Sequence, residues 1–328
     1  MKRAALALLV MGCACGPSSG TSWQPAAFDA SSFGWLLDTC GASPDDLYAV
    51  GGTESSGAAM HFDGKSWSPV SLGAPVPLLN WCHAFSSSDV AMVGNSGTVL
   101  HFDGNAWNLQ ATPTTQNLWG VWGASPSDLW SVGGDGLADG QATLLHWDGS
   151  QWSSVTLPAL QKVGVDQLLK VWGTSASNVY VVGQRGVVLH FDGSTWEEQL
   201  VGASDDLVSL WGSGPDRIVA VGGRSNAIVS VWDGASWKTT SLAPTPGLNG
   251  VWMREPGVAH VVGTYGTLGD LDLATMTLTT VAPPTSLDFH SIFGDASGRV
   301  HAVGGNLADA NPPSYQGVAY ERLLGSGE

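Results

Sequence analysis

The chain has 328 residues, with 44 Gly, 16 Trp and only 12% charged side chains, about twice the usual glycine share and half the usual charge. Its net charge of −16 argues against a nucleic-acid or anionic-lipid binder, because phosphate neutralisation needs Lys and Arg. A hydrophobic share of 43% excludes a solvated, disordered chain.

The first residues read as an address. Lys2 and Arg3 precede an apolar run, Ala4 to Met11, that ends at Gly12-Cys13. A bilayer core of ~30 Å takes about 20 apolar residues, so this run is too short to span one and reads as a secretory signal. Val10-Met11-Gly12-Cys13 resembles the lipobox of bacterial lipoproteins. That resemblance implies cleavage before Cys13 and acylation of it, with Cys15 as a rival acceptor. The expected division is a signal peptide over 1–12, a lipidated Gly/Ser tether over 13–21 and a folded domain over 22–328. Loss of Lys2 and Arg3 takes the net charge from −16 to −18. The expected location is periplasmic or outer-membrane, in a bacterium, with a membrane partner through the lipid.

The rest of the chain repeats one phrase. Leu-x-x-Val-Trp-Gly-x-Ser-Pro-x-Asp-Leu-Trp-x-Val-Gly is followed by a Gly-rich turn and Leu-His-Phe-Asp-Gly-x-x-Trp. Its Val-Gly landmark falls at Gly51, Gly94, Gly133, Gly183, Gly222, Gly263 and Gly304. Seven units over residues 22–328 are about 44 residues each, the length of a propeller blade. Each unit reads as four strands, A to D. Ser-Pro-x-Asp is the A–B turn, and Asp-Gly is the tight C–D hairpin. Unit seven has strand A at Ser291-Ile292-Phe293, B over Arg299 to Gly304 and C over Gly317 to Glu321, but no strand D. Thr21-Ser22-Trp23-Gln24-Pro25 is an orphan strand D at the other end. The predicted fold is all-β: a seven-bladed β-propeller of four-stranded blades, closed by the N-terminal strand completing the last blade.

Gly183 to Trp196 resembles the repeats of Asp-box (BNR) and photosystem-assembly-factor-like propellers, with a loop one residue shorter. The Gly-Gly after strand B and the Trp of strand D are similar to kelch repeats. The Trp-Gly-x-Ser-x-x-Asp phrase looks most like bacterial lipoprotein propellers. These resemblances cover about residues 22 to 324 and imply fold rather than function.

Ten tryptophans occupy two repeated packing positions: Trp122, Trp172, Trp211 and Trp252 in strand A, and Trp23, Trp67, Trp107, Trp152, Trp196 and Trp237 in strand D. His61, His101, His146 and His190 share one strand-C position on different blades, so they cannot converge on one ion and no metal is expected. Asp63, Asp103, Asp148, Asp192 and Asp233 at the hairpins, and Asp46, Asp89 and Asp128 in the A–B turns, are expected to cap turns. Asp135 to Gly140 lacks the alternating ligands and bidentate Glu of a calcium loop. Asp205-Asp206 reads either as an acid/base pair or as a solvated turn. No Gly-x-Ser-x-Gly elbow or His-Glu-x-x-His motif is present, so no catalytic residue and no cofactor is assigned. Cys40 and Cys82 differ by one position in strand A of neighbouring units. They therefore face each other across a blade boundary, either bridged or as two buried thiols.

Two positions at the start of strand A vary between units. The first runs Leu37, Asn80, Trp119, Leu169, Val208, Asn249, His290, and the second Asp38, Trp81, Gly120, Lys170, Ser209, Gly250, Ser291. They are expected to ring the mouth of the central channel, where function sits on variable positions of a rigid scaffold. The candidate ligand-binding residues are Asp38, Asn80, Trp81, Trp119, Lys170, Asn249 and His290, the alternative being that they wall or plug the channel. The leading reading is a monomeric, non-enzymatic, surface-anchored propeller that binds or scaffolds a protein or glycan. A carbohydrate-binding lectin and a glycosidase or lyase-like enzyme at the channel mouth are the alternatives.

Overall fold

A computed structural model describes residues 22–135, 141–309 and 314–325. They form seven four-stranded antiparallel sheets. Six sheets are built from consecutive strands. The seventh takes Gln24–Pro25 as its outer strand, beside Gly317–Leu323, Arg299–Gly305 and Asp288–Gly294. Gln24 pairs with Glu321 and Pro25 with Tyr320, so the ring closes through the N-terminal strand. The signal peptide, the tether and Cys13 lie outside the described residues, as do 136–140 and 310–313 of two long loops.

The inner strands, A, are Trp35–Ser43, Leu79–Ser86, Leu118–Ser125, Leu168–Ser175, Leu207–Gly214, Leu248–Trp252 and Asp288–Gly294. Each packs on the next, and the last packs on the first. The Trp-Gly dipeptide has a steric cause. A Cβ on Gly173 would lie 2.8 Å from the Trp122 ring of the preceding blade, and one on Gly212 would lie 2.7 Å from Trp172. The glycine of one blade is thus the seat for the tryptophan of the blade before it. In blade six Met253 replaces that glycine, and there Trp211 packs against the hydrophobic cluster that contains the methionine.

The strand-D tryptophans bind the blades together further out. Trp107, Trp196 and Trp237 lie edge-on to Tyr48, Trp130 and Tyr180 of the preceding blade, with centroids 5.9, 5.0 and 6.1 Å apart. Trp152 and Trp237 also donate their indole N–H to Gln110 and Gln199 of the blade before. Aromatic pairs of this kind add roughly 0.5–1.5 kcal/mol each beyond area burial.

The hairpin aspartates cap their turns: Asp63 accepts from the N–H groups of Lys65 and Ser66, and Asp192 from those of Ser194 and Thr195. Asp272 does the same in the divergent sixth unit. The A–B turn aspartates require a correction. Asp46, Asp89 and Asp128 do not cap; they meet Nε2 of His61, His101 and His146 at 2.6, 3.1 and 2.7 Å. Strand C ends beside the A–B turn, and the histidine bridges the two. Each such pair is internal to one blade. Among the described residues no group of three or more His, Cys, Asp or Glu is placed to hold a metal.

Asp205 and Asp206 are held by two arginines. Asp206 accepts from the Arg185 N–H and the Arg224 guanidinium, and Asp205 from the Arg224 N–H. They fasten the loop before strand A of blade five to the B–C loops of blades four and five. Asp135 accepts from the Asn117 N–H; the rest of its loop to residue 140 lies outside the described residues.

Candidate functional site at the axis of the ring

Strand A is interrupted at the same place in all seven blades. Its register against strand B shifts between Leu36 and Asp38, Leu79 and Trp81, Leu118 and Gly120, Leu168 and Lys170, Leu207 and Ser209, Leu248 and Gly250, and Phe289 and Ser291. The skipped residue is the first variable position in every blade. A bulge leaves one residue out of the ladder and re-aims its side chain.

The polar bulge residues use that freedom to bind neighbouring blades. Asn80 donates to the Leu118 carbonyl, Asn249 to that of Phe289 and His290 to that of Leu37. These bonds run from blade two to three, six to seven and seven to one. Burial pushes the His290 imidazole down to about 4, so it is neutral at pH 7. Trp119 donates its indole N–H to the Gly134 carbonyl in its own blade. Asn80, Asn249, His290 and Trp119 therefore circle the axis with a donor of each engaged by a backbone carbonyl, while the buried Asn80 Oδ1 accepts no hydrogen bond among the described residues.

The second variable position points elsewhere. Asp38, Trp81, Lys170 and Ser209 line a cavity of about 180 Å³, together with residues of strand A from all seven blades. No bulge residue lines it, so the cavity lies on the A–B-turn side of the bulge layer. Asp38 is 1% exposed and Lys170 4%. Asp38 Oδ2 accepts from the Cys82 N–H and Oδ1 from the Ser291 hydroxyl, tying blade one to blades two and seven. The Lys170 ammonium lies over the Trp81 ring, a cation–π contact. Burial pushes Asp38 up to about 7, against the pull of Lys170 and its hydrogen bonds. Burial likewise drives Lys170 well below its ordinary value, with Asp38 opposing.

Two residues further along six of the seven strands lies a second layer on the same face: Cys40, His83, Trp122, Trp172, Trp211 and Phe293 all line the cavity. The Trp residues were assigned from sequence to packing alone. They pack, and they also form the aromatic wall. The signal that finds them is the strand period of two, which puts Asp38 with Cys40 and Lys170 with Trp172 on one face. Cys40 and Cys82 are joined, with sulfurs 2.13 Å and Cα atoms 5.9 Å apart, and the bridge forms part of the wall. Asp38 is the single carboxylate among the lining residues. A glycosidase needs two, about 5 to 10 Å apart.

No family model matches the chain, and no curated protein matches it. Solved structures do. The chain is similar to YCF48 bound to D1 peptide, at 14% identity over 94% of this chain and 98% of that one, with a TM-score of 0.66. It is also similar to the WD40 β-propeller domain of Doa1, at 10% identity over 92% and 97%, with a TM-score of 0.70. At these identities the likeness establishes the propeller fold alone.

Proposed function

We propose that this chain is a non-enzymatic propeller that binds a segment of a protein partner, held at a bacterial membrane by lipid on Cys13. The observation that carries this reading is the axial cavity, where seven inner strands converge on an aromatic wall with one lysine and no carboxylate pair. The peptide bound by YCF48 supports a peptide over a glycan as the ligand class. The lipid anchor rests on the sequence from Val10 to Cys13.

The test is capture of partners from native membranes by the full-length lipoprotein, compared with a Trp211→Ala variant. The reading expects a protein enriched by wild type and lost from the variant. A glycan array bound by wild type, with no protein captured, would replace it with the lectin reading. Metabolic labelling with a palmitate analogue tests the anchor: label present in wild type and absent from Cys13→Ser is expected, and label retained in that variant moves the site to Cys15 or elsewhere.

A further inference from the structure

Lys170 is a buried amine to which the described residues offer no hydrogen-bond acceptor. The residue is 4% exposed, and its Nζ makes no hydrogen bond among the described residues; its close contact is the face of Trp81. Asp38, whose oxygens accept from the Cys82 N–H and the Ser291 hydroxyl, acts on it through charge. The lysine lines the cavity. An acceptor arriving in that space therefore gains hydrogen bonds that the protein itself does not make.

The size and the wall define the rest of the ligand. The cavity of about 180 Å³ compares with an engineered apolar cavity of about 150 Å³ that admits benzene. A space of this size admits one six-membered ring. Trp122, Trp172, Trp211 and Phe293 line it, and aromatic side chains favour an aromatic guest in offset or edge-on packing.

We infer that the axial cavity takes one aromatic group carrying a carboxylate, with the carboxylate on Lys170 and the ring among the tryptophans. This deepens the protein-binding reading and rests on it. A protein chain presents that chemistry in one place, a C-terminal aromatic residue, so the partner enters end-on rather than lying across the ring. A free aromatic acid presents the same chemistry, and the experiment separates the two.

The test is calorimetric titration of the wild-type domain with 3-phenylpropionate and its amide, and with a hexapeptide ending in Phe as the free acid and as the amide. Both acids are expected to bind at least ten-fold more tightly than their amides, and Lys170→Gln is expected to abolish the difference. Equal affinity of acid and amide, no binding of any probe, or a difference that survives in a folded Lys170→Gln variant overturns the assignment. The wild-type comparison decides even where the variant fails to fold. Binding of phenylpropionate without the peptide overturns the C-terminal source and leaves a free acid as ligand. Protein capture from membranes with no acid-over-amide preference overturns this inference alone. Acid preference with no protein captured overturns the protein-binding reading alone.

Discussion

Arg322 of the last blade grips Asp270 of the sixth with two hydrogen bonds of 2.9 and 2.7 Å, while its guanidinium faces the Trp23 ring at 5.2 Å. Arg322 is 6% exposed, and His260 shares Asp270 from the adjacent strand at 2.7 Å. Burial pushes the Asp270 carboxyl up, but the hydrogen bonds to His260 and Arg322 and their charge outweigh it and hold it well below the usual range. The pair ties the closing blade to its neighbour at the place where the N-terminal segment docks.

Breaking it should be expensive. Asp270→Asn leaves the buried guanidinium without its counter-charge, and the expected loss is about 3 kcal/mol, read as a lower urea midpoint with an unchanged slope. Replacing Arg322 and Asp270 together by apolar residues should cost less than the sum of the single changes. Additive losses would mean that the two residues do not act as a pair.

Acid should weaken the ring through His83. Burial lowers its pKa from 6.5 to about 4, with the Gly123 backbone opposing. Between those values the unfolded chain binds the extra proton, so stability is fully present above pH 6.5 and falls as pH drops toward 4. His290 acts in the same direction. Asp38, raised to about 7, acts oppositely, favouring the fold as pH falls from 7 toward 3.8. The expected outcome is that Tm falls less between pH 7 and pH 4.5 in His83→Gln than in wild type. Parallel curves for the two proteins would remove His83 from the explanation.

The Cys40–Cys82 bridge closes a loop of 42 residues in sequence separation. Chain entropy values such a loop at about 4 kcal/mol. Reduction, or replacement of both cysteines by alanine, should lower denaturant stability by up to that amount. Thiols titrating in the unreduced, unfolded protein when Cys13 and Cys15 are both replaced by serine would show that the bridge does not form.

The glycine seats can be tested singly. A Cβ on Gly294 would lie 2.3 Å from the Trp252 ring, whereas one on Gly214 meets nothing within 4 Å. Gly294→Ala should therefore cost about 1–3 kcal/mol, and Gly214→Ala under about 0.5 kcal/mol in either direction. Thermal unfolding of the two variants side by side is sufficient. Equal effects would mean that the glycine serves the backbone rather than the ring beside it.

Blade number, the four strands of each blade and the closure by Gln24–Pro25 were legible because they are periodic and the missing strand D has a visible substitute. The site was half legible. The variable positions were found, but the bulge that separates Asn80 from Trp81 exists only in the pairing of strand A with strand B. An alternating sequence reads the same on either side of such a shift. The partners of Asp46, Asp89 and Asp128 were missed for a related reason. Turn capping is local and can be read in one stretch of chain, whereas a histidine 12 to 18 residues away becomes a neighbour only once strand C is placed.

Gln24 and Glu321 are strand partners at nearly opposite ends of the chain, and this has a consequence for the order of assembly. Each of the first six blades is contiguous in sequence and pairs its strands locally. The seventh does not, because Gln24–Pro25 must find Gly317–Leu323 across the whole of the other six blades. Until that strand is in place Gln24–Pro25 has no sheet to join, so ring closure is the most non-local pairing in the fold and the step most exposed to competition from other strand edges.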